Sequence, residues 1–431
     1  MRIYNKRNLT DKELSRLFKR SAADIASVIE QVRPILSDVK QNGDKAVMKY
    51  ARKFDHLSGA SFLLTSAEIR TAERKLDKAT RNAINEAAAN IETFHSRQIP
   101  QRYSVETMPG ILCWREFLPI ENVGLYIPAG SAVLVSTMLM LGIPAKIAGC
   151  ERVIVSSPVH GIEIHPALAY AAGICGINEF YKAGGAQSIA MMAYGTKTVK
   201  KVDKIFGPGN QFVTAAKTLV STDPEGSTID MPAGPSEVLI ITDQSANPAY
   251  VASDLLAQAE HGSDSQVILL TTNKEFAAKV SKEIQFQIHS LPRKILAEKS
   301  LEHSFILLVQ SVKEAISLSN LYAPEHLILN FSNAEKHLSK IRNAGSVFIG
   351  AYSPESAGDY ASGTNHSLPT YGYAKSLGGV SVESFMKAVT FQKLTREGLN
   401  NLQKTVIQLA ETEKLEAHAN SVRIRLQDGH K

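Results

Sequence analysis

The first hundred residues carry apolar positions at helical spacing. Across residues 25–39 an apolar side chain recurs every three or four positions, and an Asn-Gly turn follows this stretch. A second helix is predicted to begin at Thr65, which forms the pattern of a capping box with Glu68, and to run to Pro100. The pattern therefore predicts amphipathic helices and no strand-rich core within this segment.

From about residue 120 the pattern changes to short β-branched runs that alternate with helical stretches. The first series contains NVGLYI, RVIVSS, EFYKA and KVDKIF, and the second contains EVLIITD, SQVILLTT, SFILLV, HLILNF and SVFIGAY. Such alternation predicts βαβ units with parallel sheets covered by helices. The predicted fold class is α/β, with two parallel-sheet domains that join near MPAGPS at 231–236.

After about residue 380 the pattern is helical again, which predicts a C-terminal arm. Such an arm packs either on a partner chain or back on its own domain. The predicted organisation is a helical segment at 1–105, an α/β domain at 106–235, a second α/β domain at 236–380 and the arm at 381–431. A length of 431 residues agrees with more than one hydrophobic core.

Composition narrows the class of protein. Apolar residues make up 44% and charged residues 21%, and the net charge of +6 comes from 48 basic and 42 acidic residues that are scattered along the chain. The longest basic cluster, KTVKKVDK at 197–204, is interrupted by Val and Asp, which favours a solvated surface over a nucleic-acid site. The N-terminus has no signal-peptide core, and no apolar run reaches the roughly 20 residues that span a bilayer. A soluble, cytoplasmic protein is expected.

The cysteines offer little chemistry by their spacing. Cys113, Cys150 and Cys175 form no CxxC pair, so neither a disulfide framework nor a thiolate zinc site is predicted. A cysteine nucleophile of the aldehyde dehydrogenase kind stays an alternative, since thiolates attack aldehydes readily. It is disfavoured because no cysteine lies in the segments that carry the candidate His and Asp residues.

Three segments carry polar residues where helices and strands are predicted to end. In LLAQAEHG, Gln258 and His261 are three apart and share a helix face, with Gly262 as a C-cap. They are either metal ligands or a dipole-stabilised histidine beside a solvated glutamine. Glu325 and His326 begin the strand HLILNF, where they form either a surface pair or, on a bend, a base and a carboxylate that activates water.

The third segment, SPESAGDYASGTNHSLPTYG at 353–372, is predicted to be a loop that follows a parallel strand. It contains Asp359, Asn365 and His366. Long loops in compact domains are usually functional, and loops after parallel strands line the carboxyl-end crevice of α/β sheets. Glu413 and His418 of the arm are ordinary polar positions by pattern alone.

Phosphate-binding signals are weak. The glycine turns GGAQ (184–187), GPGN (207–210) and AGPS (233–236) allow close approach of a pyrophosphate, but none forms GxGxxG. The pattern alone does not establish NAD.

Taken together, these segments resemble the histidinol dehydrogenase family. The matching stretches are VGLYIPAGSA, GGAQSIA, KVDKIFGPGN, IDMPAGPSEVLI, LLAQAEHGSDSQVILLT, YAPEHLI and SPESAGDYASGTNHSLPTYGYA. They follow the family's order and cover about residues 110 to 425, whereas the first hundred residues match in character and length. One departure is SSPVHGIEIHP (156–166), which is slightly longer than the usual family segment.

The resemblance implies two Rossmann-like α/β domains, with NAD on the side of the first. It also implies oxidation of L-histidinol through L-histidinaldehyde to L-histidine, with one zinc per subunit and two NAD, in a homodimer whose arms cross to the partner. The implied metal ligands are Gln258, His261, Asp359 and His418. The implied acid/base pair is Glu325 and His326. The implied substrate contacts are Ser236, His366 and Glu413, together with His326 and the four metal ligands. The implied NAD contacts are Tyr126, Gln187 and Asn210.

The residue chemistry agrees with these roles without selecting one metal. Imidazole, amide and carboxylate form a borderline-to-hard ligand set that also suits manganese or cobalt. A metal-dependent hydrolase with the same ligands, which would turn over without NAD, and a non-enzymatic binding module are the remaining alternatives.

Overall fold

The computed structural model describes residues 1–20, 25–129, 133–159, 161, 163–232 and 234–427. The segments VGLYIPAGSA, SSPVHGIEIHP and AGPS each extend in part outside these ranges. The chain divides into two compact units, one comprising Met1–Gln98 and Glu121–Phe385 and the other Ile99–Ile120 and Met386–Lys431. Within the described ranges, no helix combines the length and the apolar character needed to cross a bilayer.

The chain before residue 121 is mostly helical. Its elements are β1 (Arg2–Asn5), α1 (Asp11–Leu17), α2 (Ile25–Asn42), α3 (Asp44–Phe54), β2 (Leu63–Leu64), α4 (Ser66–Arg74), α5 (Lys78–His95), β3 (Tyr103–Met108) and β4 (Ile111–Pro119). The predicted first helix and the capping box of Thr65 with Glu68 are confirmed. The prediction of a single long second helix was wrong. Helix α4 ends at Arg74, and Asp77 caps the separate helix α5 by accepting a hydrogen bond from the Thr80 N–H.

The first α/β series folds around one six-stranded sheet. Its elements are β5 (Asn122–Tyr126), α6 (Val135–Ala148), β6 (Arg152–Ser156), α7 (Pro166–Ile174), β7 (Glu179–Tyr181), α8 (Gly185–Tyr194), β8 (Lys204–Phe206), α9 (Gln211–Thr222) and β9 (Thr228–Ile229). The strand order is β2-β7-β6-β5-β8-β9, and every pair is parallel except β2 with β7. Apolar side chains of α2, α8 and α9 pack on this sheet.

The second series forms another six-stranded sheet. Its elements are β10 (Glu237–Thr242), α10 (Pro248–Ala259), β11 (Gln266–Thr271), α11 (Lys274–Gln287), α12 (Lys294–Glu302), β12 (Phe305–Leu308), α13 (Val312–Tyr322), β13 (His326–Asn330), β14 (Ser346–Ile349) and α14 (Glu355–Tyr360). The order is β1-β12-β11-β10-β13-β14, with all pairs parallel. The predicted α/β class with two parallel sheets is confirmed. The N-terminal strands β1 and β2 extend these sheets rather than forming a core of their own.

The second unit is built on an antiparallel sheet that the sequence pattern did not suggest. Strand β15 (Met386–Leu394) pairs with β4 along nine residues, and β4 also pairs with β3. Helices α15 (Arg396–Thr412) and α16 (Glu416–Gln427) follow. The expectation of helix from residue 380 onward was therefore wrong for β15 and right for the last thirty residues that the structure describes.

Gly207 is expected to accept no side chain without strain. Its φ is +120°, and a Cβ atom would lie 2.0 Å from the carbonyl oxygen of Tyr126. Gly207→Ala should lower the free energy of unfolding by more than about 3 kcal/mol, since backbone strain and a steric clash add. The matched control is Gly149→Ala, with φ +82° and no atom within 4 Å of the added methyl. Only strain of about 1 kcal/mol is expected there, and equal losses in urea unfolding of the two variants would contradict the clash.

Candidate active site

The proposed acid/base pair lies at the amino-terminal edge of the second sheet. His326 is the first residue of β13, in register with the start of β10, and Glu325 precedes it. Helix α10 carries Gln258 in its last turn, and His261 follows the helix before β11 begins. The helix ends at Glu260 as its C-cap, so the predicted capping role of Gly262 was wrong.

The segment 353–372 is not wholly a loop, because it contains α14. Glu355 and Asp359 are four residues apart on this short helix, and both approach His326: Glu355 Oε1 lies 3.7 Å from Nδ1, and Asp359 Oδ1 lies 3.6 Å from Nε2. The prediction of a carboxyl-end crevice was therefore wrong for this segment, whose acidic residues turn to the start of β13. Glu355 escaped the sequence analysis because its i, i+4 spacing with Asp359 has meaning only on a helix.

Backbone atoms of one residue orient both members of the pair. The Glu237 N–H donates to Oε2 of Glu325 at 2.8 Å, and Nδ1 of His326 donates to the Glu237 carbonyl at 3.1 Å. Since a carbonyl only accepts, Nδ1 carries a proton and Nε2 is the nitrogen that exchanges one. Nε2 is buried and has no hydrogen-bond partner among the described residues. Its nearest acidic atom is Oδ1 of Asp359 at 3.6 Å, so Nε2 is the ring nitrogen that remains available to a ligand.

Burial and neighbouring charges shift the pKa values of this pair. Burial raises the pKa of Glu325 to about 8. Burial alone would lower the pKa of His326, but the carboxylates of Glu355, Glu325 and Asp359 outweigh it and raise this pKa well above the usual imidazole value. A cation among these carboxylates would oppose that rise, because it disfavours a nearby imidazolium. The pKa of Asp359 is lowered: burial would raise it, but the His326 imidazole, whose Nε2 lies 3.6 Å from Oδ1, outweighs burial.

A group of potential ligand atoms stands beside the pair. One ligand atom each of His261, Glu355 and Asp359 lies within 4.8 Å of the others. The carboxamide of Gln258 is fully buried against Glu355, and with its nitrogen donating to that carboxylate (3.1 Å to Oε2) its oxygen is the atom of this side chain that could bind a cation. Imidazole, carboxylate and amide oxygens suit a divalent metal, so the donor set fits the implied ion.

His366 and Ser236 are the other predicted substrate residues of the first unit, and both are held close to residues of the candidate site. Nδ1 of His366 donates to the backbone carbonyl of Asp359 at 2.9 Å, and its Nε2 lies 3.1 Å from Oγ1 of Thr137. Burial lowers the pKa of His366, which favours a neutral ring. Ser236 is half-buried and directly precedes Glu237. His366 is thus fixed through Asp359, while Ser236 adjoins the residue that orients the acid/base pair.

The predicted NAD residues lie at the carboxyl edge of the first sheet. Tyr126 ends β5, Gln187 lies in the first turn of α8, and Asn210 caps α9. The Tyr126 hydroxyl accepts a hydrogen bond from the N–H of Gly185 at 3.3 Å. Asp55, which the sequence analysis missed, accepts from Nε2 of Gln187 at 3.2 Å. A glycine turn at a helix start is a common setting for a phosphate.

One cavity joins these two regions. It has a volume of about 720 Å³, and its walls include Tyr126, Gln187 and Asn210 together with His261 and Arg293. Burial lowers the pKa of the His261 imidazole, and the His261 side chain also lines the cavity. A ligand in this cavity therefore reaches the residues predicted for a cofactor and one predicted for a metal.

Glu413 and His418 belong to the second unit, whereas the other candidate residues belong to the first. Glu413 is the C-cap of α15, His418 lies in the first turn of α16, and both side chains are exposed.

The cysteines are not part of this arrangement. Burial raises the pKa of Cys175 to about 12, which suppresses the thiolate. Cys113 lies on β4 of the second unit, and the Cys150 thiol donates to the carbonyl of Phe385 at 3.8 Å. Among the residues that the structure describes, no cysteine lines the cavity.

Fold and site together define an α/β protein of two parallel sheets with a buried His/carboxylate centre beside a ligand cavity. The histidinol dehydrogenase family model matches residues 18–426. The histidinol dehydrogenase of Bacteroides thetaiotaomicron is 50% identical over 416 residues, covering 96% of this chain and 97% of the relative, and that of Vibrio parahaemolyticus is 47% identical over 428 residues, covering 99% of each. The crystal structure of histidinol dehydrogenase from Elizabethkingia anophelis superposes with a TM-score of 0.93 at 48% identity, covering 99% of this chain and 98% of that one. The chain belongs to the histidinol dehydrogenase family.

Proposed function

We propose that this protein catalyses the NAD-dependent, four-electron oxidation of L-histidinol through L-histidinaldehyde to L-histidine, the last step of histidine biosynthesis. Full-length membership of the family supports the overall reaction. The observation that carries the mechanism is the unpartnered Nε2 of His326, buried 3.6 Å from Asp359 and beside His261 of the cavity wall. A base in this setting suits removal of a proton from an alcohol.

The proposed metal is one zinc per subunit, held by Gln258, His261 and Asp359 together with His418. The clustering of His261 and Asp359, and the amide oxygen of Gln258, support the first three ligands. When bound, a divalent ion would orient the amino and imidazole groups of histidinol and polarise the reacting oxygen. Glu355 is proposed to hold the Gln258 amide, because their side chains are in direct hydrogen-bond contact.

The proposed NAD site is the cavity on the side of the first α/β domain, residues 106–235. Tyr126, Gln187 and Asn210 line its wall, and the volume of about 720 Å³ lies within the range of ligand sites. NAD when bound would accept the hydride. The residues contribute position: Asp55 fixes the Gln187 amide, and Gly185 fixes the Tyr126 hydroxyl.

In the first oxidation, Nε2 of His326 takes the proton of the histidinol hydroxyl as a hydride leaves, for NAD, the carbon that bears this hydroxyl. The carbonyl of Glu237 holds the Nδ1 proton, so the ring presents Nε2 with the correct tautomer. Neighbouring carboxylates stabilise the imidazolium that forms. The product is the aldehyde, and the proton leaves His326 before the next step.

In the second oxidation, the Glu325 carboxylate takes a proton from water as the water oxygen bonds to the aldehyde carbon, and this proton is then returned to the aldehyde oxygen to give the neutral hydrate. The hydrate then loses a hydroxyl proton to His326 and a hydride from carbon, which gives the carboxylic acid. Each half consumes one NAD, and the acid ionises at neutral pH. The backbone N–H of Glu237 keeps Glu325 in place at 2.8 Å.

A homodimer in which the arms cross completes the proposal. Glu413 and His418 lie in the second unit of the chain and are exposed, so both are accessible to a second copy. The first unit offers Gln258, His261 and Asp359 as proposed ligands, so a fourth ligand has to come from elsewhere in the assembly. The partner's arm would add His418 to this set and Glu413 to the substrate.

The overall activity is tested by counting reduced cofactor against product. Purified protein with L-histidinol should form two NADH for each L-histidine, with no reaction when NAD is omitted. One NADH per substrate, with accumulation of aldehyde, would overturn the four-electron assignment. Turnover without NAD would favour a hydrolase.

Glu325→Gln is expected to slow aldehyde oxidation by roughly 10²- to 10⁴-fold and alcohol oxidation far less. Gln retains an oxygen for the Glu237 N–H but loses the basic carboxylate. Because burial raises the pKa of Glu325 to about 8, the base form increases as pH rises. Aldehyde oxidation by the wild type should therefore rise with pH through about 8, and this rise should vanish in the variant. Equal losses in both half-reactions, measured by rapid mixing, would remove the proposed role of Glu325.

A further inference from the structure

A buried ion pair fastens the peptide segments that hold the acid/base pair. Arg20, just before the undescribed residues 21–24, forms a two-pronged contact with Glu237: Nε lies 2.5 Å from Oε1 and Nη2 lies 2.9 Å from Oε2. The side chains are only 16% and 3% exposed. Two parallel N–H···O bonds between buried partners fix position as well as charge.

The same guanidinium holds the turn that leads into the pair. Nη2 of Arg20 donates to the carbonyls of Tyr322 at 2.8 Å and Ala323 at 3.1 Å, and its Cζ lies 3.9 Å above the Tyr322 ring. Ala323 has a φ of +57°, an unfavourable conformation for alanine. Two residues later the chain reaches Glu325, so any relaxation of this turn displaces the carboxylate and the imidazole after it.

Glu237 links Arg20 to the acid/base pair. Its carboxylate accepts from Arg20 and from the N–H of Tyr371 at 2.8 Å, while its backbone N–H and carbonyl hold Glu325 and His326. We propose that Arg20 and Glu237 are positioning residues that keep the acid/base pair aligned for both proton transfers. This inference rests on the proposed function of Glu325 and His326. We call the ion pair of Arg20 and Glu237 the clamp. Neither of its residues touches the substrate in the proposed mechanism.

The chain supplies a matched control in its other sheet. Arg152 and Glu179 form the same two-pronged contact, with distances of 2.8 and 2.7 Å, and the Arg152 side chain is also 16% exposed. That pair links β6 with β7, away from any proposed catalytic residue. The Glu179 side chain is 40% exposed, against 3% for Glu237, so Arg152→Ala removes an ion pair of the same geometry in a more open setting without altering the acid/base segments.

The decisive experiment compares Arg20→Ala with Arg152→Ala in the full-length, metal-loaded protein. Arg20→Ala should lower kcat of both half-reactions by roughly 10- to 100-fold, since misplacement by about 1 Å costs on this scale. The KM for histidinol and the zinc affinity, measured by competition with a chromogenic chelator, should change by less than about threefold. Added guanidinium should restore part of the rate in Arg20→Ala only. Arg152→Ala should keep its kcat within about twofold and show no rescue.

Glu237→Gln keeps the side-chain shape and tests the same clamp if Arg20→Ala is not recovered in folded form. A loss of about tenfold in kcat at unchanged KM is expected, because one charge-assisted contact is lost. Wild-type kcat in Glu237→Gln and in any folded Arg20→Ala would overturn the clamp. If His326→Gln is inactive in the same assays, only the clamp fails; if His326→Gln is fully active, the proposed function itself fails.

Discussion

His326→Gln is expected to lose both oxidations, each by roughly 10²- to 10⁴-fold. A single nitrogen, Nε2, accepts the proton in the alcohol step and again in the hydrate step, so no half-reaction avoids it. Glutamine offers no basic nitrogen, although its amide can occupy part of the ring's volume. The measurement is single-turnover NADH formation, started either from histidinol or from histidinaldehyde.

The variant's zinc content should remain near that of the wild type, because His326 is outside the proposed ligand set. His165→Asn is a suitable control, since His165 only caps α7 by accepting a hydrogen bond from the Ala167 N–H. Loss of the alcohol step alone in His326→Gln would mean that another group serves as base in the second oxidation.

His261→Asn and His418→Asn are each expected to be nearly inactive and to bind zinc poorly as homodimers. Mixing them should nevertheless restore activity if the arms cross. In a heterodimer one site then collects both defects and the other has none, so random exchange gives about one quarter of wild-type activity, half of the dimers having one of two sites intact. Activity and bound zinc should return together.

Exchange itself must be verified, for instance with differently tagged subunits. Heterodimers that form without regaining activity would contradict crossing, because each site would then carry one defect. That result would leave His418 either on its own chain's site or outside the metal site.

The sequence predicted the sheets well because their strands are continuous apolar runs. EVLIIT and QVILLT, for example, are buried at every position, and their short length, β-branched residues and alternation with helical stretches identify them as strands of a parallel sheet. It failed for β15, whose mixed polar and apolar residues pair with an equally mixed β4. Antiparallel pairing of that kind depends on a partner far away in the chain, which local pattern does not contain.

The residues of the candidate site were likewise predicted only in part from the sequence. Residue type and family motifs brought Gln258, His261, Glu325, His326 and Asp359 forward without geometry. Glu355 and Glu237 were missed because their importance arises from contacts across the second sheet's amino edge, where α14 and β10 meet the start of β13. The notion of a carboxyl-end crevice failed there, since α10 and α14 return the ligand-type residues to the opposite edge. In the first sheet Tyr126 ends β5 and Asn210 follows β8, so these two predicted NAD contacts do lie at the carboxyl ends of strands, and their role in binding NAD stays a prediction.

We propose that one divalent cation is bound by Gln258, His261, Asp359 and His418, which lie far apart in the sequence. Removing and restoring the metal tests this proposal most directly. Protein stripped with a strong chelator and dialysed free of it should oxidise no histidinol. Adding zinc should restore turnover in proportion to bound ion, reaching a plateau at about one per subunit. Full activity in protein shown by elemental analysis to hold no divalent metal would contradict the account.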